Sequence, residues 1–307
     1  MINTERIKLI VITGPTASGK SSLAVELAIR FGGEIINSDS MQVYRGMDVG
    51  TAKLPVNERR GITHHMIDVA DPDEEFNAAI YRELAEPIIK DIAIRGRICF
   101  VVGGTGLYIK ALLGGLLKCP PINPELRERL TRECEERGPA YLHKRLEKLD
   151  SKSARNIHPN DRTRVIRALE VIDLTSRPLS SLIAQHGFND NPFRALKICL
   201  LTERELLYRR INERSANMIK SGLLEETKNL LNLGYTEELH SMKSLGYRHA
   251  MEYFNSVRNL EDTVLQLQRD TRRYAKRQLT WFRSDLDMVW VKPGDRGVIE
   301  RMIQEFI

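Results

Sequence analysis

Residues 9–21 read LIVITGPTASGKS, the strongest local signal in the chain. Four apolar residues precede a glycine-rich turn, Gly14–Ser21, that matches G-x-x-x-x-G-K-[ST] at every fixed position. In such a turn the backbone N–H groups and the N-terminus of the following helix surround an anion, Lys20 adds a full positive charge, and the Ser21 hydroxyl suits a Mg²⁺ ligand. The stretch predicts a strand, a phosphate-binding loop and a helix, and it leaves open which phosphate the loop holds.

Strand-like segments alternate with helical patterns through the first third of the chain, as they do in βαβ units with a parallel sheet. The predicted strands are Leu9–Thr13, Glu34–Asn37, His65–Val69, Ile98–Val102 and Leu196–Leu201, and the predicted helices include Ser21–Phe31, Asn77–Arg95 and Gly106–Leu113. We therefore expect an α/β fold, a P-loop NTPase-like parallel sheet flanked by helices.

This alternation stops after Leu117. Residues 119–192 begin with the turn-rich CPPINP and continue with charged sequence of helical period, which predicts an all-helical insertion domain. Residues 1–118 then form the first part of the core. Residues 193–307 return to the core with a strand, C-terminal helices and a short late strand at Met288–Val291.

Composition and charge narrow the class of protein. Of the 307 residues, 42% are apolar, but no apolar run approaches the roughly 20 residues that span a bilayer, and the N-terminus does not read as a signal peptide. The four cysteines form no CxxC pair, which is typical of reduced, structural cysteines. We therefore expect a cytoplasmic protein with no membrane partner.

The net charge of +6 is unevenly distributed. Residues 1–118 carry 14 basic and 14 acidic side chains, whereas residues 119–307 carry 33 basic and 27 acidic ones. A basic second half favours a polyanionic partner larger than one phosphate ester, and an ordinary basic surface is the alternative.

The second predicted strand ends in a distinctive stretch, residues 36–53, INSDSMQVYRGMDVGTAK. A carboxylate at the end of this strand faces the same crevice as the phosphate loop, so Asp39 can bind a ribose hydroxyl, stabilise a turn or act as a base. The strand Ile98–Val102 is followed by GGTG, without the Mg²⁺-binding carboxylate of many P-loop hydrolases. Asp68 is a possible substitute, although a structural role is the simpler interpretation, as it is for His64 and His65.

Six motifs occur in one order: GPTASGKS, INSDSMQVYRGMDVGTAK, HHMIDV, VVGGTGLYIKALLGGL, HPNDRTRVIRALEV and SLGYRH. Together they resemble the bacterial tRNA dimethylallyltransferases, also called tRNA isopentenyltransferases, from about Leu9 to Arg283. The resemblance implies transfer of a dimethylallyl group from dimethylallyl pyrophosphate to the exocyclic amine of the adenosine 3′ of a tRNA anticodon. The products are isopentenyladenosine and pyrophosphate.

The resemblance also implies site residues. Asp39 is the base, and Thr105, Lys20 and Arg214 complete the catalytic set, with Mg²⁺ held on Ser21. The donor pyrophosphate is bound by Gly14, Pro15, Thr16, Ala17, Ser18, Gly19, Lys20, Ser21 and Arg214. The tRNA is bound by Asp39, Ser40, Met41, Gln42, Thr105, Arg127, Thr163, Arg164, Val165, Ile166, Arg167, Lys243, Ser244, Leu245, Gly246, Tyr247, Arg248 and His249.

Within the last group, Tyr247 is expected to stack on a base. The family pattern has Pro and Gln where this chain has Arg162 and Thr163, which weakens the implied contact at Thr163. The partners are an anticodon stem-loop and dimethylallyl pyrophosphate, and the protein is expected to be a monomer.

The segment Gln268–Arg283 is the most basic in the chain. At helical spacing its cations fall on one side, either as an electrostatic wall for the anticodon stem or as the solvated face of a core helix. Three other functions stay open. They are prenylation of free adenine nucleotides, a P-loop ATPase or small-molecule kinase, and a non-catalytic RNA-binding protein.

Overall fold

Six parallel strands form one sheet in the computed structural model, which describes residues 6–117, 119–187, 190 and 192–307. The strands are β1 (Ile7–Thr13), β2 (Gly33–Asn37), β3 (His64–His65), β4 (Ile98–Gly103), β5 (Phe193–Leu200) and β6 (Val289–Val291), in the order β3-β2-β4-β1-β5-β6. The predicted parallel α/β fold is therefore confirmed. Since β1 is flanked by β4 and β5, the loop that follows it leaves the middle of the sheet.

The helices of the sheet-containing unit are α1 (Lys20–Phe31), α2 (Ala78–Ile94) and α3 (Gly106–Gly114), and then, after β5, α9 (Arg204–Lys220), α10 (Leu223–Asn232), α11 (Tyr247–Phe254), α12 (Leu260–Arg283) and α13 (Arg296–Phe306). A 3₁₀ turn at Val56–Arg59 precedes β3. The inner strand residues Ile10 and Ile12 pack with Leu27 and Ala28 of α1 in a fully buried core. This core fixes the strand–loop–helix geometry on which the phosphate loop depends.

A second compact unit spans residues 114–191. Its helices are α4 (Pro124–Arg137), α5 (Pro139–Leu149), α6 (Ser151–Asn156), α7 (Arg162–Thr175) and α8 (Leu179–His186), around a core of its own that includes Leu130, Leu142, Leu146 and Leu169. The boundary predicted at residue 119 differs because the turn-rich CPPINP begins five residues after α3 has ended.

The third strand is shorter than predicted. The sequence pattern predicts a strand over His65–Val69, but only His64 and His65 pair with β2. Met66 and Asp68 adopt positive φ values of 61° and 56°, a left-handed conformation that ends the extended backbone. The carboxylate of Asp68 is thereby turned toward Lys53, whose Nζ donates to its Oδ1 over 2.5 Å.

None of the described helices is long and apolar enough to cross a membrane. All four cysteines are free, and Cys99, Cys134 and Cys199 are buried.

Candidate active site

The phosphate loop takes its shape from residues that tolerate left-handed backbone. Gly14, Ala17 and Gly19 have φ values of 147°, 62° and 87°. A Cβ on Gly14 would lie 3.0 Å from Ser18 Oγ and 3.2 Å from the backbone oxygen of Leu200, so the loop packs tightly on the end of β5. Gly14 is thus required by both conformation and space.

Lys20 begins α1, and its Nζ donates to the carbonyl of Pro15 over 3.4 Å. Burial lowers the pKa of Lys20 to about 8, with Asp39 opposing that shift and Arg214 adding to it. Burial likewise lowers the pKa of Arg214, again opposed by Asp39. Two cations held close together in a partly dehydrated pocket favour a polyanion between them.

A small pocket of about 50 Å³ brings four of the predicted donor-binding residues, Thr16, Lys20, Ser21 and Arg214, together with the predicted base. Its lining includes Lys20 and Ser21 from the loop, Asp39 from the end of β2, and Arg214 from α9. Asp39 and Arg214 also line a larger cavity of about 670 Å³. One carboxylate therefore faces both a cationic phosphate pocket and a cavity of the size that binds small organic ligands.

The turn after β4 holds the segment that carries Asp39. The amide of Thr105 donates to the carbonyl of Ser38 over 3.1 Å, and the amide of Ser40 donates to Thr105 Oγ1 over 2.9 Å. The amide of Met41 donates to Asp39 Oδ1 over 3.0 Å, which orients the carboxylate. A Cβ on Gly103 would lie 2.0 Å from the Ser38 carbonyl oxygen, so this close approach of β2 and β4 requires glycine.

The larger cavity has a mainly cationic wall. Its charged lining residues are Asp39, Arg214, Lys243, Arg248, Glu252, Asp270, Arg273 and Arg277. Tyr274 lies in the same wall, and burial raises the pKa of its hydroxyl. The cavity thus offers one carboxylate near the phosphate pocket and several cations farther out, where an anionic chain can be bound.

The segment Lys243–His249 divides into two groups. Lys243, Ser244, Leu245 and Arg248 line the cavity. Gly246, Tyr247 and His249 are buried, and Tyr247 has no exposed surface. The structure corrects the expectation that Tyr247 stacks on a base, because its ring is in the core and its hydroxyl donates to Glu226 Oε1 over 2.5 Å.

His249 is a structural residue of the same segment. Its Nδ1 accepts from the Gly246 amide over 3.4 Å, so Nε2 carries the proton and donates to Asp270 Oδ2 over 3.2 Å. Burial lowers the pKa of His249, and the hydrogen bond to Asp270 opposes that shift. Asp270 also accepts from Arg248 Nη2 over 2.8 Å and from Arg273 Nη1 over 3.2 Å. It thereby orients two cations of the cavity wall.

The predicted tRNA residues of the helical unit also differ in exposure. Thr163 and Arg164 are exposed at the first turn of α7, whereas Val165 and Ile166 are in the unit's core and cannot offer their side chains to RNA. Arg127 and Arg167 converge on the buried carboxylate of Glu170 through their guanidinium groups. Of the implied set in this unit, Thr163 and Arg164 are the most accessible.

The basic segment predicted at Gln268–Arg283 is the C-terminal part of α12. Arg269, Arg273, Lys276 and Arg277 are exposed, while Arg272 donates to Asn212 Oδ1 over 2.5 Å. Arg273 and Arg277 line the cavity, which favours the electrostatic-wall interpretation over a face that only meets solvent.

Sequence reasoning missed two polar contacts that shape the site. Glu226 accepts from the amides of Asp48, Val49 and Gly50, and Gln278 joins Thr16 to Gly104. Gln278 was recognisable as the polar member of an otherwise apolar helix face. Glu226 had no such signal, because an acidic residue in a charged helix is ordinary.

In the described parts of the chain, no group of three or more His, Cys, Asp or Glu side chains could hold a metal ion. Asp68 is paired with Lys53. The remaining protein ligand is the hydroxyl of Ser21, which is exposed and lines the phosphate pocket. This donor set fits Mg²⁺, which usually retains several waters and is completed by substrate phosphates.

Two family models match the chain. A model described as IPP transferase matches residues 42–285, and a model described as isopentenyl transferase matches residues 7–71. The first of these covers most of the sheet-containing unit and the whole helical unit.

Individual proteins are similar along nearly the whole chain. The tRNA dimethylallyltransferase of Geobacter metallireducens is 48% identical over 295 residues, which cover 96% of each protein. The tRNA dimethylallyltransferase of Desulfosudis oleivorans is 50% identical over 286 residues, which cover 93% of this chain and 91% of that protein.

Two solved structures are similar in fold as well. The tRNA isopentenylpyrophosphate transferase of Bacillus halodurans is 40% identical, with a TM-score of 0.73 over 97% of this chain and 96% of that one. A eukaryotic dimethylallyltransferase, crystallised acting on tRNA, is 31% identical, with a TM-score of 0.78 over 94% of this chain and 75% of that one.

Proposed function

Because this chain belongs to the tRNA dimethylallyltransferase family, we propose that its phosphate loop binds the pyrophosphate of dimethylallyl pyrophosphate and that Asp39 deprotonates the acceptor. The protein transfers a dimethylallyl group to tRNA. The acceptor is the exocyclic amine of the adenosine 3′ of the anticodon. The observation that carries this assignment is the single pocket shared by Lys20, Asp39 and Arg214.

The donor half of the reaction uses the cations of that pocket. As the allylic C1–O bond breaks, negative charge accumulates on the departing pyrophosphate. Lys20, Arg214 and the loop amides stabilise this charge more strongly in the transition state than in the ground state. The released products are pyrophosphate and the alkylated tRNA. No bond of ATP is broken.

The acceptor half uses Asp39. The exocyclic amine of adenine is a weak nucleophile, because its lone pair is delocalised into the ring. As the nitrogen forms its bond to C1 of the donor, Asp39 accepts the proton that the amine loses, so charge does not build up on nitrogen. Thr105 supports this geometry through its bond to Ser40, beside Asp39.

We propose Mg²⁺ as the cofactor, held by Ser21 together with phosphate oxygens of the donor. When bound, it neutralises charge on the leaving pyrophosphate. Lys20 and the loop amides orient the donor in the same pocket, and Asp39 accepts the proton of the acceptor amine.

The cationic wall of the larger cavity supports tRNA binding. An adenosine in an anticodon loop must leave its stack to reach Asp39, at a cost of a few kcal/mol. Contacts of Lys243, Arg248, Arg273 and Arg277 with the RNA backbone offset this cost. We propose that the enzyme works in the cytoplasm, where its tRNA substrate is found, and as a monomer, since one chain supplies the whole pocket.

The decisive experiment supplies radiolabelled dimethylallyl pyrophosphate and offers tRNA, AMP and ATP in separate reactions. Label should enter tRNA alone. Label in AMP or ATP would favour the enzymes that prenylate free nucleotides, and ATP hydrolysis without label transfer would favour a P-loop ATPase or kinase.

The variant Asp39→Ala tests the mechanism. Transfer should fall by roughly 10²-fold or more, the usual effect of removing a general base, while tRNA affinity is retained. Asp73→Ala, which changes an exposed aspartate outside both pockets, is the matched control. Near-normal turnover by Asp39→Ala would remove Asp39 from the mechanism.

A further inference from the structure

Gln278 is a buried amide on α12, the longest of the described helices. Its side chain lies on α12 and is 6% exposed. Both ends of the amide are used: Oε1 accepts from the Thr16 amide over 2.9 Å, and Nε2 donates to the Gly104 carbonyl over 2.9 Å. A side chain that satisfies one donor and one acceptor in two different loops is a specific connection, since either bond left unmade in a buried site is costly.

Of the two loops that Gln278 joins, one binds the donor and the other holds the segment that carries Asp39. Thr16 belongs to the phosphate loop that receives the donor. Gly104 precedes Thr105, whose hydroxyl accepts from the Ser40 amide beside Asp39. A short path of hydrogen bonds therefore runs from the donor loop through Gln278 to the segment that carries the base. The Thr16 amide donates its hydrogen bond to Gln278.

Helix α12 packs tightly against the GGTG turn, residues 103–106. A Cβ on Gly104 would lie 2.3 Å from Gln278 Nε2, and a Cβ on Gly106 would lie 2.0 Å from Trp281 Nε1. Both distances are shorter than any ordinary contact, so the two glycines are what allows the helix to approach this closely. Gln278 consequently has a fixed position relative to the turn.

From this arrangement we infer that Gln278 is a positioning residue that sets the donor loop at the correct distance from Asp39 and the acceptor amine. The inference rests on the proposed function of the pocket. Gln278 touches neither substrate in this role. Its effect is on the alignment of donor and acceptor, for which a displacement of about 1 Å can cost roughly 10²-fold in rate.

The amide is the side chain that this position requires. Methionine has a similar length and volume but makes neither hydrogen bond. Glutamate has the same shape, but as a carboxylate it cannot donate to Gly104, whereas a protonated carboxyl both donates and accepts. The two substitutions separate loss of the bonds from loss of packing.

The experiment measures the single-turnover rate of transfer to tRNA by the full chain, with enzyme and donor in excess, and separately the steady-state KM for tRNA, for Gln278→Met, Gln278→Glu and the control Gln268→Met. Gln268 lies on the same helix and donates to a backbone carbonyl, that of Asn212, outside both loops. Gln278→Met should lower the single-turnover rate by roughly 10- to 100-fold, with the KM for tRNA within about twofold of the control.

Gln278→Glu supplies a readout that packing alone would not move. Its rate relative to the wild type should recover as the pH is lowered and the buried carboxyl takes up a proton, while Gln278→Met should show no such recovery. Because Gln278→Glu keeps the native shape of the side chain, it also tests the inference if Gln278→Met has a lowered Tm.

Four outcomes count against the idea. A Gln278→Met rate within about threefold of the control, or a loss confined to the KM for tRNA, overturns the positioning role. A Gln278→Glu rate that falls and does not recover at lower pH contradicts the role assigned to the two hydrogen bonds. If the wild type itself transfers no label to tRNA, the proposed function fails as well, and that result is distinct from the other three.

Discussion

Glu226 connects two segments that the sequence alone shows only as separate motifs. Its Oε2 accepts from the amides of Asp48 and Val49 over 3.0 and 2.8 Å, and its Oε1 accepts from the Gly50 amide over 3.1 Å and from the Tyr247 hydroxyl. Gly50 belongs to a loop that lines the larger cavity. We predict that Glu226→Gln loosens this loop, because an amide offers one acceptor oxygen where four donors converge.

The magnitude follows from these contacts. Whichever way the new amide is oriented, its NH₂ group faces at least one backbone N–H, and a partly buried donor left without an acceptor costs about 1–2 kcal/mol. Loss of charge assistance from the remaining bonds brings the expected destabilisation to about 3 kcal/mol. For a unit of this size, that corresponds to a fall in Tm of roughly 6–12 °C.

The assay is thermal unfolding, together with steady-state transfer kinetics. The KM for tRNA should rise, because Gly50 and Thr51 line the cavity, while the KM for the donor stays within about twofold. The control is Glu225→Gln, which changes the exposed neighbouring residue of α10. If Glu226→Gln melts within about 2 °C of that control, the four hydrogen bonds do not stabilise the loop and the reasoning is wrong.

The other predictions concern charge. Because burial lowers the pKa of Lys20 to about 8, kcat/KM for the donor should decline above pH 8 as the ammonium loses its proton; a profile that stays flat to about pH 9.5 would contradict this. Hydrogen bonding to Arg95 lowers the pKa of Glu34 from 4.5 to about 2, so its stabilisation is present above pH 4.5 and is lost as the pH falls toward 2. Glu34→Gln should therefore lower the free energy of unfolding at pH 7 by about 3 kcal/mol. That free energy should also fall less between pH 7 and pH 2 than it does in the wild type, as measured by denaturant titration at each pH. Arg273→Ala and Arg277→Ala should each reduce the slope of log K against log salt for tRNA binding by roughly 0.7–0.9, and an unchanged slope would show that the side chain contacts no phosphate.

Much of the fold was predictable because its signals are local. The strand before the phosphate loop, the glycine turn and α1 depend on residues adjacent in sequence, and the structure places them as expected. The third strand was over-predicted, since its apolar alternation is interrupted by the positive φ values of Met66 and Asp68, which neither residue type announces. Tertiary packing, and not local preference, determines the backbone there.

Some site residues were also identifiable from local motifs, whereas others depend on contacts between distant parts of the chain. Lys20 and Asp39 were identifiable from their motifs, and the pocket brings them together with Arg214. Tyr247 was expected to stack on a base because the resemblance placed it in a tRNA-binding segment, but the bond to Glu226 and the close contact with Gly50 hold it in the core. Contacts between residues some two hundred positions apart leave no trace in a single sequence.

The position of β1 between β4 and β5 has a consequence for biosynthesis. When the first 113 residues have left the ribosome, β1 has a neighbour on one side only, and the loop after it lacks the end of β5 on which Gly14 rests. The helical unit emerges next and has its own core, so it can fold while the sheet is still incomplete. The helix that carries Gln278 is synthesised later still, which means that a nascent chain acquires its donor-binding geometry only when translation is nearly finished.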